Sequence, residues 1–246
     1  MLLVSVYVKF DEWGRMGNRM FQYAFGYILA KEKRTDLLTS GLPNFNIKPT
    51  INSLPINNFI NTRIYGNNYV DWKALVNTDK DIIVDSFVQQ QHYYMPYKNE
   101  LRQIFNVDSF LSINQNKLIL HIRETDYVQV GCFLEYKYYK QIINKSEFTE
   151  IIIVTDNSNC ETVQKLLSAG CTLNTKGYVD TFNVVSDDRA MTDFYTLLYS
   201  ENIAISQSSF SWWAAFLGNH KKIVFPITEK GMWKQNPNQD DINLYF

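Results

Sequence analysis

The stretch AISQSSFSWWAAFLG, residues 204–218, decides the fold. Ile203, Ala204 and Ile205 form a short apolar run that breaks into Ser206, Gln207, Ser208 and Ser209, and then into a run with helical spacing. Phe210, Trp213, Ala214 and Leu217 recur at i, i+3, i+4 and i+7, which is one helical face, while Trp212, Ala215 and Phe216 make the other side apolar too. The pattern reads as strand, tight loop, buried helix. A serine just before the helix is expected to cap its first turn, and Gly218 to close the last in the left-handed conformation. With its start held at the end of a strand, such a helix points free N–H groups and the positive end of its dipole at whatever lies there, which suits an anion. The same residues equally suit a capped turn over a tryptophan-filled core.

Outward from this stretch, strands alternate with helices. Toward the N-terminus, residues 2–10 read as a strand, 11–17 as a loop with two glycines and 18–33 as a helix with Phe21, Ala24, Phe25, Ile28 and Leu29 on one face. Residues 36–80 carry Pro43, Pro49, Pro55 and many asparagines with poor periodicity, and are expected to be irregular loops with short strands and helices. A strand at 81–88 runs into a helix. The pattern then restarts: strand 118–122, helix 135–143, strand 151–154, helix 160–167, strand 181–185, helix 191–199 and strand 223–225. Such alternation argues for parallel sheets covered on both faces. Two series meeting near residues 107–116 imply an α/β protein of two Rossmann-like lobes, residues 1–112 and 113–246. In open sheets of this kind ligands bind at the carboxyl ends of the strands. HIRETDY, TDNSN and SQSSFSWW all begin where a strand stops, so they are expected to line one crevice.

The totals exclude several classes. The 246 residues, 46% of them hydrophobic and 15% aromatic, can bury a substantial core, and a net charge of −1 leaves no basic footprint for nucleic acid. Cys132, Cys160 and Cys171 form no CxxC pair and fit a reducing compartment. The first ten residues lack a basic leader, and no apolar run approaches a membrane span, so neither a signal peptide nor an integral membrane segment is expected.

Arg123 is the leading single candidate, because a guanidinium stays charged and forks onto phosphate oxygens. Opposite the helix start at Ser208, Ser209 and Phe210, it would give a diphosphate a cation on one side and N–H donors on the other. Its plain alternative is a pair with Glu124 or Asp126. Asp156, followed by Asn157 and Ser158, is placed either to accept from a guanine edge or to cap the helix at Cys160. His121 is either an orienting group for a phosphate or base, or a satisfied core histidine. GRMGNRM looks like a phosphate-cradling loop but lacks the Lys-Ser/Thr of a P-loop and the GxGxxG spacing. Gly14 and Gly17 then serve the turn, and Asn18 either caps the helix or faces a ligand. His92 has no second ligand at metal spacing, and Asp187 with Asp188 lacks a third carboxylate, so no metal site is expected.

GRMGNRMFQYAFGYILA, SFVQQQHYY, LILHIRETDY, IIIVTDNSN and SQSSFSWWAAFLG, in that order, resemble the α-1,2-fucosyltransferases of glycosyltransferase family 11. The resemblance covers nearly the whole chain and is weakest at residues 40–80. It implies a GT-B-like fold with a donor cleft between the two lobes. It also implies an inverting transfer of fucose from GDP-fucose, without metal or other cofactor, to a glycan acceptor, typically the 2-hydroxyl of galactose. Arg123 would hold the β-phosphate with Ser208, Ser209 and Phe210 behind it, Asp156 and His121 would face the guanosine, and Gly17 with Asn18 would approach the donor from the other lobe. A cytoplasmic location, at most peripheral to a membrane carrying the acceptor, goes with this reading. The base that takes the acceptor proton is assigned to Asp126, on the argument that burial raises its pKa, with Glu124, Asp11 and Glu12 as rivals. One departure stands out: the family usually has HxRRGDY, and here Glu124 and Thr125 replace an arginine and a glycine. A reversed charge so near the diphosphate is expected to weaken donor binding or change the preferred sugar nucleotide. Another GDP-sugar donor, or a non-catalytic GDP-sugar or glycan-binding protein, is the alternative.

Overall fold

A computed structural model describes residues 4–10, 15–55, 57–65, 69–107, 116–129, 131–174 and 189–226. The chain divides into two compact units, Met1–Asn106 and Val107–Phe246. The expected division at 112/113 lies outside the described residues.

The first unit holds β1 (Ser5–Val8), α1 (Met16–Lys33), β2 (Asp36–Thr39), β3 (Phe59–Asn61), α2 (Trp72–Asn77), β4 (Asp81–Val84), α3 (Gln91–Tyr94) and α4 (Lys98–Ile104). Its strands form one parallel sheet in the order β2-β1-β4-β3. Val6 and Val8 alternate inward from β1, and α1 lays Phe21, Ala24, Phe25 and Leu29, all fully buried, against the sheet. Gly26 lets helix and strand touch, since a Cβ there would stand 2.2 Å from Val8 Cγ2. α1 starts two residues earlier than its apolar spacing indicates, with Arg15 at the cap position, so Asn18 does not cap it and lies inside the first turn. β2 and β3 lie in the segment expected to be irregular loops with short strands and helices. They are short and lack alternation, and their parallel pairing with β1 and β4 defines them.

The second unit holds β5 (Lys117–Ile122), α5 (Thr125–Gln129), α6 (Tyr136–Lys145), β6 (Glu150–Thr155), α7 (Glu161–Ser168), β7 (Thr172–Leu173), α8 (Arg189–Leu198), β8 (Asn202–Ala204), α9 (Ser209–Leu217) and β9 (Lys222–Val224). These strands are all parallel, in the order β7-β6-β5-β8-β9. The chain therefore builds outward from β5 through β6 to β7, then returns to the other side of β5. That reversal is a topological switch point between β5 and β8, the place where open α/β sheets take ligands. The strand expected at 181–185 lies outside the described residues.

α9 is apolar on every side, and all of its residues except Phe210 are buried. Trp212 stacks on Phe216 with centroids 4.9 Å apart, and Trp213 meets both edge-on. Amphipathic α8 packs along it. Two details depart from expectation. No serine side chain caps α9, and Gly218 is extended (φ −72°, ψ 170°), not left-handed. Its glycine is required by a close approach: a Cβ would lie 2.1 Å from His220 Nε2 and 2.6 Å from the Leu198 carbonyl oxygen. His220 occupies that space to reach the Ala214 carbonyl near the end of α9 (3.0 Å) and the Ser200 carbonyl (2.6 Å). No described helix is long and apolar enough to cross a membrane.

Candidate active site

Arg123 follows β5, Asp156 follows β6, and Ser206 to Ser209 follow β8. Because β6, β5 and β8 are parallel neighbours, these three segments emerge along one edge of the sheet, at its switch point.

The Arg123 side chain is only 13% exposed and lies between two carboxylates. Its NH1 is 2.6 Å from Asp156 Oδ2 and its NH2 donates to Asp126 Oδ1 at 2.6 Å, while its Nε is buried with no hydrogen-bond partner. Its cationic carbon lies 5.3 Å from the centre of the Tyr127 ring. The pairing with Asp126 is therefore present, and Asp156 is a second partner. Asp156 also accepts from the Glu124 N–H (3.2 Å) and the Thr125 hydroxyl (2.6 Å), so its carboxylate braces the β5–α5 turn. It does not cap α7, whose cap position is Cys160. Asp126 is the looser partner: its side chain is 46% exposed, and besides Arg123 it accepts from Thr125 at 3.0 Å. The burial on which its role as base was argued is missing. Of the two carboxylates on this guanidinium, the exposed Asp126 moves at lower cost than the braced Asp156.

His121, 5% exposed, shares a 2.8 Å hydrogen bond between its Nδ1 and Ser206 Oγ and stacks on Phe210 with centroids 5.6 Å apart. Burial, aided by the Arg123 charge, pulls its pKa down to about 3, so the ring is neutral near pH 7 and brings no charge to a phosphate. Its contacts are those of a satisfied interior histidine that ties the end of β5 to the turn before α9. Tyr127, which sequence reasoning missed, lies with its ring under Arg123, and burial pushes its pKa up. Its only signal was its place four residues after Arg123. Ser208 and Ser209 are 4% and 7% exposed, and the Ser208 N–H donates to the Ser206 carbonyl at 2.8 Å. Without a side-chain cap, the first-turn N–H groups of α9 keep their capacity for an acceptor.

Gly17 and Asn18 belong to the first unit, in the first turn of α1. Asn18 accepts from Gln89 Nε2 at 2.9 Å. One turn further, Gln22 is fully buried with neither amide atom partnered, and Gln89 Oε1 and Arg19 Nε are in the same condition. Unpartnered buried polar atoms cost about 1–3 kcal/mol each. Sequence patterning had no signal for this group, because glutamine in a helix reads as a surface residue. Gly14, Asp11, Glu12, Asp187 and Asp188 lie outside the described residues. Among the described residues no group of three or more His, Cys, Asp or Glu side chains could hold a metal ion. A cavity of about 150 Å³ walled by Leu118, Tyr138, Ile142, Phe148 and Val224 includes none of the groups at the switch point.

No protein-family model matches the chain. An alpha-1,2-colitosyltransferase of Escherichia coli is 23% identical over 256 aligned residues, covering 84% of this chain and 86% of the relative. Among solved structures, the NodZ alpha-1,6-fucosyltransferase co-crystallised with GDP is 13% identical with a TM-score of 0.48, covering 87% of this chain and 93% of that one. The R284K mutant of Arabidopsis thaliana FUT1 in complex with GDP is 12% identical with a TM-score of 0.49, covering 89% of this chain and 69% of that one.

Proposed function

We propose that the protein is a metal-independent, inverting glycosyltransferase that moves fucose from GDP-fucose to a hydroxyl of an acceptor glycan, the 2-hydroxyl of galactose. The observation that carries this reading is Arg123, a mostly buried guanidinium after β5 at a switch point, with the uncapped start of α9 following the adjacent strand β8. The family 11 resemblance and the likeness to a colitosyltransferase support it.

In this mechanism the donor's diphosphate takes the guanidinium from Asp126. Arg123 and the N–H groups at Ser209 and Phe210 then stabilise the negative charge that grows on departing GDP as the sugar passes through an oxocarbenium-like state. Charge-assisted hydrogen bonds of this kind contribute about 1.5–3 kcal/mol each. The released Asp126 carboxylate accepts the acceptor's proton. Ser208 supports the turn, His121 ties that turn to the end of β5, and Asp156 stays with Arg123 as its braced partner.

Arg123→Ala is expected to abolish transfer in a folded protein, and EDTA to leave the wild-type rate unchanged. Transfer at the full rate by the variant would remove the reading. A second reading, transfer of a different deoxy sugar, is favoured by the relative's colitose specificity. Hydrolysis assays over a panel of GDP- and UDP-sugars separate the two.

A further inference from the structure

One face of the second sheet carries a cavity that the proposed reaction does not use. The register sets Leu120, Ala204 and Val224 side by side on β5, β8 and β9, so they share a face, and Leu118 and Lys222, two residues earlier on their strands, share it too. α6 packs on that face through Ile142, and Phe148 joins the same apolar cluster from the loop after the helix. Between α6, that loop and β9 lies the cavity of about 150 Å³, walled by Leu118, Tyr138, Ile142, Phe148 and Val224. An apolar cavity of about this size takes one benzene-sized ring, and two aromatic walls favour a flat one. Charge selects among such rings. Lys145 and Lys222 also line the cavity, against one carboxylate, Glu147, and the Lys222 ammonium lies 5.3 Å from the centre of the Phe148 ring. A ring that carries an anionic group matches this lining, and a cationic one does not.

Two of the walls also hold the segment that leads into α9. Ile205, the residue after β8, gives its N–H to the Val224 carbonyl at 3.0 Å, and its own carbonyl accepts from the Tyr138 hydroxyl at 3.2 Å. Ser206, next in the chain, bonds His121 through its hydroxyl and takes the Ser208 N–H on its carbonyl. We infer that the cavity is a binding site for a single-ring aromatic acid, and that filling it braces Tyr138 and Val224 and so fixes the turn that presents the start of α9. None of its lining residues belongs to the proposed donor site, so this ligand acts as an effector and not as a substrate.

The effect on α9 rests on the proposed donor site and the cavity does not, which keeps their failures apart. Ligand-observed NMR and calorimetry with benzoate, benzyl alcohol and benzylammonium as probes test the cavity in wild type, Lys145→Glu and Ile142→Trp. Benzoate is expected to bind at millimolar concentration, benzyl alcohol several times more weakly and benzylammonium not at all. Lys145→Glu, an exposed change, should cost benzoate about fivefold and benzyl alcohol nothing, while Ile142→Trp fills the space and abolishes both. Absence of benzoate binding, equal binding of the three probes, or benzoate binding retained by Ile142→Trp would overturn the site. Saturating benzoate is expected to tighten GDP about fivefold, and GDP to tighten benzoate by the same factor. Tyr138→Phe, which lacks the hydroxyl, should bind benzoate normally and lose this coupling. Unchanged or weaker GDP affinity in wild type would overturn the bracing. If wild type binds no GDP, the donor site fails instead, and hydrogen exchange over residues 205–209, expected to slow with benzoate, still decides the bracing.

Discussion

Arg123 is a cation already satisfied by two anions, and that conditions what each neighbour can do. Removing the charge of Asp126 relieves the competition for Arg123 but deletes the proposed base. Asp126→Asn is expected to bind GDP at least as tightly as wild type, by up to severalfold on the scale of an exposed ion pair, while turnover falls by a factor of a hundred or more. Calorimetry and initial rates check the two halves separately; unchanged turnover would move the base elsewhere. Two buried titrating groups set opposite trends in stability. His121 has a folded pKa of about 3, below its ordinary 6.5, so its contribution is complete above pH 6.5 and is lost as pH falls toward 3. Asp193, raised to about 6 by burial from 3.8, contributes fully below pH 3.8, and that contribution is lost as pH rises through 6. Denaturant titrations between pH 4 and 6 should therefore show a steeper loss of stability in acid for Asp193→Asn and a shallower one for His121→Gln, by at most about 1.4 kcal/mol per pH unit each. At this scale the place of Arg123 after a strand and its pairing with Asp126 were legible from the sequence. The double role of Asp156, the burial of Glu124 and the Tyr127 ring under Arg123 were not, because side-chain direction in a loop has no periodicity to betray it.

Among the elements, α9 was the most legible, since nine residues with apolar groups on every side can only be an interior helix. Its ends were not legible. At the C-terminus a histidine two residues past Gly218 takes the space a side chain would need, which no local cap pattern encodes. Gly218→Ala is accordingly expected to destabilise by about 1–3 kcal/mol through forced displacement of His220 or the Leu198 carbonyl. The paired variant Gly218→Ala with His220→Ala should recover part of that loss in a thermal melt, whereas no recovery would point to backbone contact with Leu198 alone. α1 followed its apolar spacing but began two residues early, which moved Asn18 from a cap into the helix. β2 and β3 fall where short strands were expected but not positioned, because short strands in a parallel sheet owe their existence to the neighbours they pair with, and carry little alternation of their own.

Across the whole molecule, two parallel-sheet units follow from alternating strands and helices, and the second builds outward from β5 and returns beside it. That reversal of strand order cannot be read from a list of elements, yet it is what gathers residues 83 positions apart, Arg123 and Ser206, onto adjacent strand ends. The proposed chemistry needs one thing of this architecture, that a diphosphate be held between the guanidinium after β5 and the start of α9 after β8. The direct measurement is the affinity of wild type and Arg123→Ala for GDP and for GMP by titration calorimetry. Wild type should prefer GDP, and the variant should lose about ten- to hundredfold for GDP with a far smaller change for GMP. Equal losses for the two nucleotides, or an unchanged affinity for GDP, would contradict the grip on the second phosphate.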